Sequence, residues 1–202
     1  MKLTTRELAT IAVFGTLWGL SEMSLGSVLK SLNIPFSGAV LGAIGLTIAL
    51  VGRVFVPKKG STLFIGMIAM LLKLFSLGGV IIGPMVGIIS EALVAEIVLS
   101  LMGAPRRPAF MLAGAAGVTW TLVQPFVTGP LLFGRTLFVV WLDLLDTGNR
   151  YLGLGVNAAV SIILVLLAIY LALGALAGWL GWDLGRQLQN RLGKPQAESI
   201  KP

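Results

Sequence analysis

Apolar residues run along this chain in long blocks, and polar residues gather in the connections between them. The blocks predict six membrane helices, at about residues 7–28, 38–56, 61–77, 80–102, 108–128 and 152–180. The third only just reaches the ~17 residues that a crossing needs. Lys2 and Arg6 ahead of the first block give it a signal-peptide look, but Ser21-Glu22 interrupt it and no small-residue cleavage site follows. The first helix is therefore expected to be retained.

The fourth block, Ile81 to Leu99, is apolar enough to cross a bilayer yet holds Glu91 and Glu96. A carboxylate at the centre of a membrane helix costs about 2.5–3.5 kcal/mol on insertion scales. Such a residue is expected to face a bundle interior, a water-filled cavity or a partner. Gly83-Pro84 suits a helix start, where proline's missing N–H is not needed. Glu91 and Glu96 are five residues apart, roughly 140° round a helix of 3.6 residues per turn, so one small site cannot use both.

Between the fifth and sixth blocks, Leu131 to Leu145 has the look of a seventh span. Arg135 and Asp143 leave only Thr136 to Leu142 uninterrupted, so segment 129–151 is expected to lie at the outer interface or to re-enter from it. Basic residues set the orientation. With the N-terminus in the cytoplasm and six crossings, Lys2, Arg6, Arg53, Lys58, Lys59, Arg106, Arg107, Arg186, Arg191, Lys194 and Lys201 fall inside. Only Lys30, Lys73, Arg135 and Arg150 fall outside, which places both termini in the cytoplasm. The longer connections, Leu29 to Ser37 and Gly129 to Tyr151, then lie on the outer face, where ligand chemistry or lids are expected.

Composition agrees with this reading. The chain of 202 residues is 56% hydrophobic and 11% charged, against about 25% charged in a soluble domain. Mean hydropathy is +0.96. The expected fold is all-α, a single integral membrane domain over residues 1–202. The net charge of +7 is scattered through short connections, the distribution of membrane topology and not of a nucleic-acid groove. With no cysteine and no histidine, disulfides, thiolate metal sites and histidine acid–base chemistry are excluded. No phosphate-binding Gly-x-x-x-x-Gly-Lys-Ser/Thr loop is present, so ATP is not bound by that route. No catalytic residue, metal site or cofactor is expected.

Candidate chemistry lies in the polar exceptions. Glu22 sits in the outer part of the first helix, Glu91 near the middle of the fourth is the candidate for an outward-facing pocket, and Trp120 and Gln124 share one face of the fifth helix. Asn33, Trp141, Asp143, Asn149 and Asn157 lie on or near the outer connections. An aromatic wall, an amide and a carboxylate are what a flat, polar, cationic heteroaromatic ligand needs, although each aromatic alone also suits an interfacial belt. Ala12, Gly15, Gly19, Glu22 and Gly26 recur every three or four residues on the first helix. Such a small-residue groove serves packing within the bundle or docking to a separate membrane subunit. Glu96, nearer the cytoplasm, is expected to pair with Arg106 or Arg107 or to meet a partner.

Six helices with both termini inside, the Gly83-Pro84-x-x-Gly87 start of an acidic helix and the glycine-periodic basic end from Gly174 to Arg186 resemble the substrate-binding S components of energy-coupling factor (ECF) transporters. The resemblance covers nearly the whole chain in architecture through loose motifs. Members of that family often carry Ala-x-x-x-Ala on the first helix, where this chain has Ala12-x-x-x-Thr16 and Gly15-x-x-x-Gly19. The resemblance implies capture of a vitamin or related micronutrient on the outer face of a prokaryotic inner membrane, under a lid formed by Leu29 to Ser37. It also implies a membrane scaffold (T component) and two cytoplasmic ATPases as partners. Thiamine-type members resemble this chain in using glutamate, tryptophan and asparagine. The alternative reading is a stand-alone proton- or ion-coupled carrier or channel using Glu22, Glu91 and Glu96; an intramembrane enzyme would have carboxylates alone to work with.

Overall fold

The computed structural model describes residues 3–32, 34–75, 82–153 and 158–192, apart from the side chain of Lys30. Asn33 and Asn157 lie outside the described residues, as do residues 76–81, across which the third expected segment ends and the fourth begins. Seven helices follow in order among the described residues: α1 (Thr5–Ser31), α2 (Ser37–Phe55), α3 (Ser61–Lys73), α4 (Ile82–Met102), α5 (Arg107–Phe133), α6 (Leu137–Leu152) and α7 (Ala159–Leu192). No strand occurs among them.

By length and composition α1, α2, α4, α5 and α7 are long and apolar enough to cross a membrane, whereas α3 is apolar but has 13 residues. Polarity is arranged inside out. Val13 and Leu20 of α1, Leu93 and Ile97 of α4, and Val160 and Leu164 of α7 are exposed, while Glu22, Arg53, Lys73, Glu91 and Glu96 are buried. Water penalises so much exposed apolar surface, and lipid favours it. This is the pattern of a multi-pass membrane protein.

Close contacts at glycines fix how the helices run. Gly45 and Gly52 of α2 face Trp18 and Phe14 of α1, Gly66 and Thr62 of α3 meet Ala92 and Glu96 of α4, and Gly87 and Glu91 of α4 meet Gln124 and Gly117 of α5, so these neighbours are antiparallel. α7 instead runs parallel to α2, with Gly181 against Leu50 and Gly185 against Val54. The start of α1, the α2–α3 and α4–α5 turns and the end of α7 therefore share one end of the bundle. That end carries Arg6, Lys58, Lys59, Arg106, Arg107 and Arg191 and is called the basic end below.

The nearest approach of two helices is α5 on α7. A Cβ at Gly114, Gly174 or Gly178 would collide with backbone of the facing helix, so only glycine permits this contact. The glycine stripe from Gly174 to Gly185 is thus used within the chain, its first half against α5 and its second against α2.

Three element boundaries differ from the sequence reading. α7 continues to Leu192 and not to residue 180, because its amphipathic end is held by tertiary contacts. Trp182 packs edge-on against Phe110, Arg186 lies over the Trp182 ring, and Asp183 pairs with Arg107. α5 runs on through Pro125 and Pro130 to Phe133, since membrane helices tolerate proline where neighbours support the chain. Within the expected interfacial segment, α6 is a helix of 16 residues whose start is capped by the Thr136 hydroxyl, which accepts from the Val139 N–H. Among the described helices it packs only on α5 and α7.

Candidate functional site

In the half of the bundle away from the basic end, α1, α2, α3 and α4 bring three ionisable groups inward. The Glu22 carboxylate lies 3.7 Å from the Lys73 ammonium, which also donates to the Glu22 carbonyl at 3.0 Å. Gly26, one turn beyond Glu22, leaves the space that Lys73 Nζ fills, 3.5 Å from where a Cβ would stand. Glu91 lies over Gly42 of α2, its carboxylate oxygens 3.0 and 3.1 Å from a Cβ position there, so a side chain at residue 42 would displace it. Glu91 is 5% exposed, and its Oε2 has no hydrogen-bond partner among the described residues.

Among the buried groups of the described residues, Glu22, Glu91 and Glu96 face Lys73 and Arg53, which leaves one carboxylate without a basic partner there. That carboxylate is Glu91. A carboxylate taken out of water is either paired with a cation or protonated, and Glu91 has no cation beside it among the described residues.

Aromatic and amide groups adjoin it. Trp18, fully buried, fits against Gly45 and Gly66, and its indole Nε1 has no hydrogen-bond partner among the described residues. Gln124 donates from Nε2 to the Gly83 carbonyl at 2.9 Å, which ties α5 to the first turn of α4. Gly117 of α5 stands beside the Glu91 carbonyl, and Trp120 lies between Gly117 and Gln124 along the helix. Because Trp120 and Gln124 are one turn apart, Trp120 shares the face turned towards α4. Its buried Nε1 is also without a partner among the described residues, as is the Thr119 hydroxyl on another face of α5. Two indole N–H donors and a carboxylate oxygen thus lie in this region without partners among the described residues.

Glu96 has another task. Its Oε2 accepts from Arg53 at 3.2 Å and from the Thr62 N–H at 3.1 Å, and its Oε1 accepts from the Gly60 N–H at 2.7 Å and the Ser100 hydroxyl at 2.9 Å. The Gly60 and Thr62 amides begin α3, so Glu96 caps a helix that has no capping side chain of its own. Arg53 also donates to the Lys58 carbonyl and, at 2.9 Å, to Ser61 Oγ. Of the partners expected for Glu96, the structure shows Arg53 in place of Arg106 or Arg107, and Glu96 clamps the α2–α3 turn.

Other expected residues stand apart. Asp143 pairs with Arg135, and Trp141 and Asn149 sit on the same α6, which does not touch α1, α2, α3 or α4. Gly15 and Gly19 face Ile68 and Leu72 of α3, 2.7 Å from their Cβ positions, so they serve packing within the bundle. Ala12, on the same face nearer the start of α1, is exposed. Phe36, in the connection expected to form a lid, holds φ 56, and its ring lies 5.3 Å from Tyr151 and 6.3 Å from Tyr170.

Sequence reasoning missed Trp18, Lys73 and Arg53. The signal for each was present, since a tryptophan in mid-span and a lysine or arginine inside an apolar helix depart from the belt and loop positions those residues usually take. Comparisons with protein-family models, with curated proteins and with solved structures return no match for this chain.

Proposed function

We propose that this chain is the membrane-embedded substrate-binding subunit of an ECF-type vitamin or micronutrient importer. It crosses the membrane six times with both termini in the cytoplasm, the short α3 completing the set and α6 lying at the outer interface. The ligand is a small cationic heteroaromatic molecule of thiamine-like chemistry, taken from the outer side. A scaffold protein and two ATPases, on separate chains, complete the importer and supply the energy.

The observation that carries this reading is the buried Glu91 carboxylate in the half away from the basic end, whose Oε2 has no hydrogen-bond partner among the described residues. A cationic ring would neutralise it, while the indoles of Trp18 and Trp120 offer aromatic faces and N–H donors. Lys73 holds Glu22 and leaves Glu91 as the carboxylate open to the ligand's charge. Both carboxylates are nearly fully buried, so binding parts the helices or the Phe36 connection before the ligand reaches them.

The test is binding of a vitamin panel to the purified chain by calorimetry, together with mass spectrometry of whatever co-purifies. A cationic heteroaromatic ligand with submicromolar Kd, and recovery of the scaffold and ATPases with the tagged chain, support the reading. No ligand below micromolar Kd across the panel overturns it.

A stand-alone ion-coupled carrier is the second reading, favoured by the burial of Glu22, Lys73 and Glu91 in the same half of the bundle. Flux into liposomes that contain this chain alone, lost in Glu91→Gln, selects it over the first.

A further inference from the structure

We propose that a cleft between α1, α2 and α7 holds one anionic phospholipid of the leaflet at the basic end. The cleft has a volume of about 410 Å³. Its walls include Leu17 from α1, Thr47 and Val51 from α2 and Leu184 from α7, and its far end is lined by Gln187 and Arg191. The one polar wall residue is spent internally. The Thr47 hydroxyl donates to the Ala43 carbonyl at 2.7 Å and lies 3.4 Å from the Ala177 carbonyl. What the cleft presents is therefore hydrocarbon along its length and an amide with a guanidinium at its mouth.

Depth identifies the occupant. Gly185 of α7 is level with Val54, one residue before α2 ends. Arg191 is six residues further on, about 9 Å past the end of α2 at 1.5 Å per residue, and Thr47 is about 12 Å inside it. The cleft thus runs from near mid-membrane to the headgroup layer of one leaflet, whose hydrocarbon is about 15 Å deep. An acyl chain fits the inner part and an anionic headgroup meets Arg191 and Gln187. Its lining residues include no acidic side chain to oppose that charge. Basic pockets between membrane helices are suited to such headgroups. A second protein helix would satisfy the apolar wall but leaves the arginine at the mouth without a reason. The proposal stands whether or not the chain is an importer subunit.

Native mass spectrometry of the full chain in neutral detergent, with dioleoylphosphatidylglycerol or dioleoylphosphatidylcholine added, tests it. The expected result is one tightly held lipid per chain, with the glycerol lipid preferred about fivefold, the factor that one arginine near an anionic headgroup supplies. Arg191→Gln should abolish the preference while lipid is still held. Leu17→Trp, placed at an exposed position that fills the cleft, should abolish the tight adduct with both lipids. A preference unchanged in Arg191→Gln, or an adduct undiminished in Leu17→Trp, overturns the proposal. So does a photocrosslinker at Leu188 that captures a polypeptide instead of lipid in native membranes.

Discussion

Glu91 and Glu96 show how two carboxylates on one helix come to do different work. Glu96 accepts four hydrogen bonds, one from an arginine, whereas Glu91 has an oxygen with none. Glu91→Gln keeps the shape and removes the charge, so ligand affinity should fall by about 10- to 150-fold, the worth of a 1.5–3 kcal/mol charged contact, with melting temperature held or raised. Calorimetry and thermal melting on the same sample read both, and unchanged affinity would remove Glu91 from the site. Glu96→Gln should do the reverse. It leaves Arg53 as an uncompensated buried charge, a loss of about 3–5 kcal/mol, and should lower melting temperature while Kd in the folded fraction stays within twofold. Equal loss of binding in both variants would sink the division. At this scale the sequence announces the carboxylates, because the insertion cost marks every acid in a membrane helix. It hides their partners, because Lys73 and Arg53 sit near segment ends and read as loop charges. Only packing between segments 43 and 51 residues apart turns them inward.

Helices in this bundle are held by shape more than by polarity, and α5 against α7 is the clearest case. A Cβ on Gly178 meets the Phe110 carbonyl and the Met111 Cα, neither of which has a flexible end that yields. Gly178→Ala should therefore destabilise the protein by about 1–3 kcal/mol, the usual cost of overpacking. Gly83→Ala, where nothing lies within 4 Å of the added methyl, should cost far less. Thermal melting of the two variants in one detergent compares them, and equal melting temperatures would refute the close α5–α7 contact. The spacing of Gly174, Gly178, Gly181 and Gly185 is plain in the sequence, but the periodicity does not say what lies opposite. Both internal packing and a foreign subunit fit it, and the structure assigns two glycines to α5 and two to α2. Helix ends were harder to read for a related reason. The polar turns after residue 180 of α7 stay helical because Phe110 and Arg107 of α5 receive Trp182 and Asp183, contacts that local composition does not encode.

At the scale of the whole molecule, alternation of helices gathers the basic turns at one end, and the proposed six-span topology follows from which connections lie there. Two of the charges used to orient the chain prove not to be loop charges, since Arg53 and Lys73 are buried in ion pairs. One comes from each side, so the bias towards the basic end survives their removal. The chain contains no cysteine, which makes accessibility mapping direct. Single cysteines at Lys59, Ala104 and Asn190 lie at exposed positions of the basic end, and Pro35 and Asp146 at exposed positions of the other. In right-side-out vesicles, a membrane-impermeant maleimide should label Pro35→Cys and Asp146→Cys at once. Lys59→Cys, Ala104→Cys and Asn190→Cys should react only after permeabilisation. The decisive pair is Asp146 and Asn190, because α7 alone separates them. If both react from the same side, either α6 crosses or α7 does not, and the six-span count fails together with the outward placement of the Glu91 site. If all five react with sides exchanged, the span count stands and the orientation falls. Glu91 would then open towards the cytoplasm, which suits export or ion coupling and removes the case for an importer subunit.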